Sequence, residues 1–405
     1  MALTFKQFKS IFWPPGMVGR QASSMLYYQY LVGWKKFPHW LFKHSFKSLP
    51  VAAGSVGMGC IGFPAHPAWE VTSACNLRCV HCHATGDKPA EGELDTAEAK
   101  LLIEQMAAVN EFRMLVYTGG EPLVRPDLIE LLHHSKEAGL TNVIATNGIL
   151  ITDEKARELK RAGVAGAAVS IDSTNAAVHN RIRVKDDAFE LTLRGIEALR
   201  KAGILLQINV TAMEYNFDDL ENIIELATRK DSGIMLMYQL VPVGRGSEIA
   251  KAALNLKDNE RLIKKVAACQ VDTPTVIEPV AGPQYWPYLL ERKKRGKGVW
   301  LKMAEQVFHG CAAGRGFVYI KSNGDVWPCP FVEVNAGNVR DSSFEEIWNN
   351  SEVFQDLRDR ENRLKGKCGD CKYSKLCGGC RGRAHAYTGD YLAEDPSCFI
   401  DSDEI

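Results

Sequence analysis

The 405-residue sequence lacks several features that mark whole classes of protein. No apolar run reaches the roughly 18 residues that a membrane-spanning helix needs, and the N-terminus has no compact apolar core of the kind found in signal peptides. The formal net charge is zero, from 49 basic and 49 acidic side chains, which argues against a general nucleic-acid-binding protein. We therefore expect a cytoplasmic protein with no nucleic-acid partner.

Acidic residues are missing altogether from residues 1–69, which nevertheless contain seven Lys and Arg residues and many aromatic ones. Basic and aromatic residues together are typical of a segment lying on an anionic membrane surface. They are equally typical of an N-terminal cap whose aromatic rings are buried against a larger domain. The sequence leaves both interpretations open, and the first would place the protein peripherally on the inner face of the membrane.

Alternating strand and helix patterns begin near residue 66. Six βα units predict an α/β fold with parallel strands, a partial (β/α)6 TIM-like barrel. In such barrels the reactive groups lie at the C-terminal ends of the strands. We predict an N-terminal segment (1–65), the barrel (66–270), a linker (271–304) and a small cysteine-rich α+β domain (305–405). The predicted strands are Ala68–Thr72, Arg113–Tyr117, Asn142–Thr146, Gly166–Ile171, Leu205–Ala212 and Ile234–Val241.

Three of the twelve cysteines, Cys75, Cys79 and Cys82, directly follow the first predicted strand. The cysteines are clustered in a large chain, which favours metal ligation in a reducing compartment over a disulfide framework. Three thiolates can bind three irons of a [4Fe–4S] cluster and leave the fourth iron open to a non-protein ligand. A partial zinc site or three unrelated buried thiols are the alternatives, although zinc sites usually pair two CxxC units.

This CxxxCxxC motif resembles that of the radical S-adenosylmethionine (SAM) superfamily. The stretch Thr118-Gly-Gly-Glu-Pro-Leu123, at the end of the second strand, is similar to the element that binds the SAM amino group there. The ordinary structural alternative for this stretch is a βα turn. By the resemblance we expect SAM contacts from Gly119, Gly120, Glu121, Ser170 and Arg183, with Asp172 and Asn209 as weaker candidates. For Ser170, Arg183 and Asp172 the structural alternative is local capping and a surface ion pair. The turn at 242–246 is expected to hold the adenine.

Seven cysteines in the C-terminal quarter resemble the SPASM domain, which carries two auxiliary iron–sulfur clusters; zinc is the minor alternative. Two departures from that family are visible. Only two residues separate Cys377 from Cys380, and an upstream cysteine is missing, so cluster I is open, smaller, or completed by another ligand such as His309. The resemblance assigns Cys311, Cys329 and Cys380 to auxiliary cluster I, and Cys368, Cys371, Cys377 and Cys398 to auxiliary cluster II.

Together these resemblances imply a radical SAM oxidoreductase. Reductive cleavage of SAM would give a 5′-deoxyadenosyl radical that abstracts hydrogen from an unactivated carbon, with a flavodoxin or ferredoxin as electron donor. The residue after Cys329 is Pro330, where sulfatase-maturing relatives have a catalytic Asp, so formylglycine formation is not expected. No catalytic proton donor is assigned; the candidates are Tyr238, Arg245 and His385.

The substrate stays open at this stage. The tail Cys377–Cys398 resembles those of enzymes acting on iron porphyrins in the heme and heme d1 pathways, and also that of the mycofactocin maturase, which modifies a peptide. A tetrapyrrole or a peptide is therefore expected, with a membrane lipid as the alternative that the basic aromatic segment suggests. An iron–sulfur electron carrier or scaffold is the alternative from a different class, and it would not cleave SAM.

Overall fold

The computed structural model describes residues 26–33, 35, 66–109, 112, 114–308 and 310–400. These residues form one nine-stranded sheet with the strand order β7-β6-β5-β4-β3-β2-β1-β8-β9. Neighbouring strands from β7 to β8 are parallel, and only the β8–β9 pair is antiparallel. The strands are β1 His66–Thr72, β2 Met114–Gly119, β3 Thr141–Thr146, β4 Val164–Ser170, β5 Leu205–Ala212, β6 Ile234–Gln239, β7 Val276–Val280, β8 Phe317–Ile320 and β9 Val326–Trp327.

Helices connect the parallel strands and cover the sheet. Those of the barrel region are α1 Thr96–Ala108, α2 Leu128–Glu137, α3 Asp153–Arg161, α4 Ala176–Arg183, α5 Ala188–Lys201, α6 Leu220–Arg229, α7 Leu256–Cys269, α8 Tyr285–Arg292 and α9 Gly298–Val307. Those that follow are α10 Phe344–Asn350, α11 Glu352–Arg358, α12 Arg360–Arg363, α13 Gly366–Asp370 and α14 Arg381–Thr388. Short 3-10 turns lie at Pro122–Val124, Glu214–Asp219 and Gly244–Ala252.

Local sequence explains where the main helices begin. Asp95 caps α1 by accepting hydrogen bonds from the backbone N–H groups of Ala97 and Glu98, and the Glu98 carboxylate in turn accepts one from the backbone N–H of Asp95. Thr152 caps α3 by accepting a hydrogen bond from the backbone N–H of Lys155. Such caps satisfy backbone N–H groups that have no partner within the helix. The helices therefore start at fixed points behind the strand ends, which fixes the loops at the carboxyl edge of the sheet.

The predicted partial barrel is confirmed, because the strands are parallel and the sheet does not close. All six predicted strands are present within a few residues of their expected bounds. The structure adds a seventh, β7, inside the stretch 271–304 for which the sequence predicted a linker. Pro279 lies within β7, and a proline in a strand argues against a central position. β7 is an edge strand, where the missing backbone N–H of a proline is tolerated. The proline therefore concealed this strand from sequence-based prediction.

The C-terminal cysteine-rich region joins the same sheet. Its strands β8 and β9 form an antiparallel hairpin, and β8 pairs parallel to β1, with Ala68 opposite Tyr319. The carboxylate of Glu70, which is buried on β1, accepts hydrogen bonds from Tyr319 and Lys321 at 2.9 and 2.7 Å. A buried carboxylate is stable only when it is paired and hydrogen-bonded. Glu70 therefore ties the hairpin to the first strand of the barrel.

The N-terminal segment is described only in part, and residues 1–25, 34 and 36–65 lie outside the described residues. A helical stretch at 26–32 packs on the main body: Tyr28 is 1% exposed and its hydroxyl lies 2.9 Å from that of Tyr285. Tyr27 stacks on Phe308 with ring centroids 5.5 Å apart. For these residues the interpretation as a packed cap holds. Within the described part of the chain, no helix is long and apolar enough to cross a membrane.

This packing predicts that Tyr28 stabilises the whole fold. We expect Tyr28→Ala to lower the free energy of unfolding by about 3 kcal/mol, because it leaves a cavity beside Trp286 and removes the hydroxyl pair. Leu26→Ala is the matched control, since Leu26 is 66% exposed on the same helical stretch, and its loss should stay within about 0.5 kcal/mol. Urea unfolding followed by tryptophan fluorescence measures both. Equal effects of the two substitutions would contradict the packed arrangement.

Candidate functional site

A cavity of about 340 Å³ opens at the carboxyl ends of the strands. Cys75, Cys79 and Cys82 line it on the side of the loop that follows β1. The C-terminal region also contributes to the lining, including a second group of three cysteines, namely Cys311, Cys329 and Cys380. Strand ends of an α/β sheet are where such sites are expected. Two groups of thiols therefore line one cavity.

The Gly119-Gly120 pair holds the cysteine loop against the end of β2. Gly120 donates to the carbonyl of Thr72 and Glu121 to that of Ala74, at 2.8 and 2.9 Å. A Cβ on Gly120 would lie 2.1 Å from the Ala74 carbonyl oxygen, and one on Gly119 would lie 2.3 Å from that of Thr72. No side chain fits at these distances. The glycines are thus required by the close approach of the cysteine loop, and both also line the cavity.

The turn at residues 242–246, for which the sequence predicted a resting place for adenine, packs against the same cysteine loop. Arg245 donates to the carbonyls of Cys79 and Gly86, at 2.9 and 3.2 Å, and the backbone of Gly246 donates to the carbonyl of Cys82 at 3.1 Å. Arg245 was a candidate proton donor. In this structure its guanidinium braces the loop that carries the cysteines.

A buried ion-pair network lies beside Cys79. The carboxylate of Asp172 is 2.7 Å from Arg183 and 3.2 Å from Nε2 of His81, and all three residues line the cavity. Although burial acts in the opposite direction, Arg183 and His81 hold the pKa of Asp172 well below its usual range. Arg183 also lies 3.6 Å from the Cys79 sulfur. Sequence reasoning missed His81, because it occupies one of the positions between the cysteines of the CxxxCxxC motif, and only the cysteines were assigned a function.

The other predicted SAM contacts divide into two sets. Ser170 and Asn209 lie opposite each other in the β4–β5 register and both line the cavity. Glu121 does not line it and is fully buried. Its carboxylate accepts from the Thr146 hydroxyl and the Asn147 backbone, both at 2.8 Å, while burial raises its pKa to about 7. The Glu121 side chain therefore secures the loop after β3.

Sequence reasoning also missed polar residues at other strand ends. Asn147 follows β3, lines the cavity and donates to the side chain of Asn76 in the cysteine loop at 2.7 Å. His83 and Tyr319 also line the cavity, and the Tyr319 hydroxyl lies 3.5 Å from Nε2 of His83. Burial lowers the pKa of His83 to about 4. The rule that reactive groups follow strand ends points to Asn147. No comparable signal identifies Tyr319, because its strand was not expected beside β1.

The remaining four cysteines form a third group. Cys368, Cys371, Cys377 and Cys398 line one small second cavity. Cys377 interacts electrostatically with the other three, whereas Cys329 interacts with Cys311 and Cys380. The grouping in space is thus the one that the sequence resemblance assigned to two auxiliary clusters. His309, the suggested extra ligand, lies outside the described residues.

The thiol groups suit iron–sulfur clusters. Burial raises the pKa of Cys75 and of Cys380 to about 12, and since the thiolate is the metal-binding form, a bound cation has to stabilise it. Thiolates of a [4Fe–4S] cluster each bind a separate iron and so stand farther apart than the ligands of one ion. Among the described residues, no group of three or more His, Cys, Asp or Glu could hold a single metal ion.

Of the candidate proton donors, only Tyr238 lines the cavity. It is half-buried at the end of β6. His385 lies on α14 and is not among the cavity-lining residues of the described chain. Cys269 is a half-buried thiol on α7, while Cys60 lies outside the described residues.

Comparison with protein families gives two matches. Residues 69–227 match the radical SAM superfamily, and residues 311–372 match SPASM, an iron–sulfur cluster-binding domain. The AdoMet-dependent heme synthase of Methanosarcina barkeri is 43% identical over 336 residues, which cover 82% of this chain and 95% of that protein. The mycofactocin maturase MftC of Mycolicibacterium smegmatis is 31% identical, over 82% of this chain and 81% of its own length.

Solved structures support the fold. The crystal structure of Streptococcus suis SuiB bound to precursor peptide SuiA matches with a TM-score of 0.66 at 17% identity, covering 90% of this chain and 82% of that one. Identity at this level supports only the shared architecture.

The close approach at Gly120 predicts a specific defect. We expect Gly120→Ala to displace the cysteine loop, because its Cβ would clash with the Ala74 carbonyl, and hence to lose the iron held by Cys75, Cys79 and Cys82. Gly316→Ala is the control, since a Cβ there meets nothing closer than 3.9 Å. Iron and sulfide analysis after anaerobic reconstitution measures both. Full iron content in Gly120→Ala would show that the loop tolerates the shift.

Proposed function

Because the chain belongs to the radical SAM superfamily and carries a SPASM domain, we propose that it is an oxidoreductase of the heme synthase type that acts on an iron porphyrin. The observation that carries the proposal is the 43% identity to an AdoMet-dependent heme synthase over nearly the whole of that protein. The chain is a radical SAM enzyme, with SAM, a [4Fe–4S] cluster and auxiliary iron–sulfur clusters as its cofactors. Its substrate is the proposed part.

When bound, SAM and the first cluster supply a 5′-deoxyadenosyl radical that abstracts a hydrogen atom from an unactivated carbon. The roles of the residues are part of the proposal. Cys75, Cys79 and Cys82 hold three irons, and Arg183, fixed by Asp172, presents its charge beside them. Gly119 and Gly120 expose backbone, while Ser170 and Asn209 offer side-chain contacts to SAM from the strand ends. Glu121 acts by securing the loop after β3 through the backbone of Asn147.

The reaction that fits an iron porphyrin is the conversion of a propionate side chain into a vinyl group. Heme carries vinyl groups where coproporphyrin carries propionates. Removal of one hydrogen atom from the carbon next to the ring leaves a carbon radical. Loss of carbon dioxide from that radical forms the double bond and releases one electron. Per side chain, the substrate loses carbon dioxide, one hydrogen atom, one electron and, counted from the acid, one proton. The auxiliary clusters that the C-terminal cysteines would hold would accept that electron.

The cavity walls support a flat apolar substrate. Phe317, Tyr319 and Phe331 line the side of the C-terminal region, next to Cys329 and Pro330. Aromatic rings offer large apolar surfaces suited to stacking. Because both groups of thiols line this cavity, a substrate bound there would lie near the site of hydrogen abstraction and near auxiliary cluster I.

A peptide is the second candidate substrate. The 31% identity to mycofactocin maturase MftC over 82% of the chain favours it, but that identity is lower than the 43% to the heme synthase. A lipid has no support in these comparisons. As the reductant, radical SAM enzymes generally need a one-electron donor, and we propose a flavodoxin or a ferredoxin.

We predict that the reduced enzyme with SAM converts Fe-coproporphyrin III into a product with vinyl groups, with 5′-deoxyadenosine formed alongside. Mass spectrometry should show products lighter by carbon dioxide and two hydrogens for each side chain converted. Cleavage of SAM without any change in the porphyrin would contradict the tetrapyrrole proposal and favour the peptide.

Two cysteine variants control that experiment. Cys79→Ala should form neither 5′-deoxyadenosine nor product, because it removes a ligand of the open cluster. Cys269→Ala should retain both activities, since Cys269 is a half-buried thiol on α7 that does not line the cavity. Undiminished SAM cleavage by Cys79→Ala would contradict the assignment of the first cluster.

Peripheral membrane association through residues 1–69 remains a separate proposal, supported by the seven basic residues and the missing acidic ones. Each cation near an anionic surface contributes about 1 kcal/mol, and salt weakens the attraction once the Debye length falls below ~10 Å. We predict co-sedimentation with anionic liposomes at low salt, which is lost when glutamine replaces Lys6, Lys9, Arg20, Lys43 and Lys47.

The control for the membrane experiment replaces five exposed lysines elsewhere, which lowers the net charge equally. They are Lys88, Lys201, Lys251, Lys257 and Lys294. If both sets of substitutions change liposome binding equally, the N-terminal segment has no special role. None of these substitutions changes Tyr27 or Tyr28, which are part of the core.

A further inference from the structure

Two arginines are buried in the cysteine-rich region with no carboxylate in contact among the described residues. Arg360 is 2% exposed and Arg381 is 0% exposed. The guanidinium of Arg360 donates to the backbone carbonyls of Cys311 at 2.7 Å, Lys375 at 2.6 Å and Leu376 at 3.2 Å. That of Arg381 donates to the carbonyls of Tyr391 and Ala393, more weakly to that of Gly379, and contacts the Cys368 sulfur at 3.6 Å.

Neither arginine forms an ion pair with a carboxylate in the described part of the chain. Arg383, two residues after Arg381, shows the usual arrangement instead. It is 3% exposed and makes a two-pronged pair with Asp395, at 2.7 and 2.9 Å. Burying a charge costs several kcal/mol unless an opposite charge offsets it. For Arg360 and Arg381, the hydrogen bonds come from backbone carbonyls and, for Arg381, from the Cys368 sulfur. The charge of Arg381 acts on Asp390 without contact, but that carboxylate is paired with Lys365 at 2.6 Å.

The segment Cys377-Gly-Gly-Cys380 makes room for both guanidinium groups. A Cβ on Gly378 would lie 2.7 Å from Cζ of Arg360, and one on Gly379 would lie 2.5 Å from a terminal nitrogen of Arg381. Both glycines also have positive φ angles, +66° and +60°, which favour glycine. The two residues between Cys377 and Cys380, whose number distinguishes this chain from the common SPASM pattern, are thus the glycines against which the two guanidinium groups pack.

Both arginines also lie beside cysteines that the proposed function assigns to clusters. Arg381 touches Cys368, which the proposed function assigns to auxiliary cluster II. Arg360 bridges the backbone of Cys311, from cluster I, and that of Leu376, just before Cys377 of cluster II. A [4Fe–4S] cluster with four thiolates is negatively charged, and more so after reduction. Net charge and hydrogen bonds at the sulfurs are among the factors that set its reduction potential.

We infer that Arg381, supported by Arg360 between the two sites, is the counter-cation of auxiliary cluster II and raises its reduction potential so that it accepts electrons. The inference rests on the proposed assignment of cysteines to clusters. A raised potential would set the direction of electron transfer, from the substrate radical to the cluster. As the substrate radical is oxidised to the alkene and carbon dioxide, one auxiliary cluster is reduced by one electron, which then leaves to a flavodoxin- or ferredoxin-type carrier.

The test is a redox titration followed by electron paramagnetic resonance. Full-length protein with Cys75, Cys79 and Cys82 replaced by Ala reports the auxiliary clusters alone. In that background Arg381→Gln should lower the potential of one cluster by about 59 mV or more, a tenfold change in the equilibrium constant for a one-electron couple. Arg381→Lys keeps the charge and should stay close to the starting potential.

Arg363→Gln is the matched control, because Arg363 lies on the same helix as Arg360 but is exposed, with its Nε 3.6 Å from a carboxylate oxygen of Asp359. This substitution should leave the reduction potentials of the clusters unchanged. If Arg381→Gln loses iron while Arg381→Lys retains it, the charge is needed to hold the cluster, which supports the inference. Equal iron loss in both, or an unchanged potential in Arg381→Gln, overturns it. The titration uses no substrate, so an enzyme that failed to act on iron porphyrin would still report these potentials.

Discussion

The parallel pairing of β8 with β1 is the contact on which the arrangement of the site depends. β1 leads directly into Cys75, Cys79 and Cys82, while β8 lies between Cys311 and Cys329 along the chain. Because the two strands are neighbours in one sheet, the two groups of cysteines open into the same cavity. The buried Glu70 reinforces this pairing through Tyr319 and Lys321. The second domain is therefore an extension of the first, and its position is set by backbone hydrogen bonds.

Much of the barrel could be predicted from the sequence, because its signals are local. Strand and helix periodicity predicted six of the seven barrel strands. What escaped prediction depends on contacts that are distant along the chain. The β8–β1 pairing joins residues about 250 apart in number, and no local pattern encodes it. β7 was hidden by Pro279, which only its edge position makes acceptable.

For the site, the cysteines were predictable while the orientation of the side chains around them was not. The glycines at 119 and 120 were expected to admit a ligand; they are also needed for the cysteine loop to meet the strand. Glu121 was expected at SAM and points into the loop after β3. Arg183 lines the cavity as expected, but its pairing with Asp172 and His81 is a tertiary fact. Motifs identify which residues matter, whereas burial and pairing decide what each one does.

The four-residue segment from Cys377 to Cys380 links two groups of thiols, since Cys377 lies in one group and Cys380 in the other. Under the proposed assignment of these groups to two clusters, insertion of either cluster would fix one end of this segment and with it the positive φ angles of the two glycines between. The conformational entropy lost there would not have to be lost again when the other cluster binds. From that assignment we expect cooperative maturation, in which the first iron–sulfur cluster to be inserted orders part of the binding site of the second and half-loaded chains are the less favoured species.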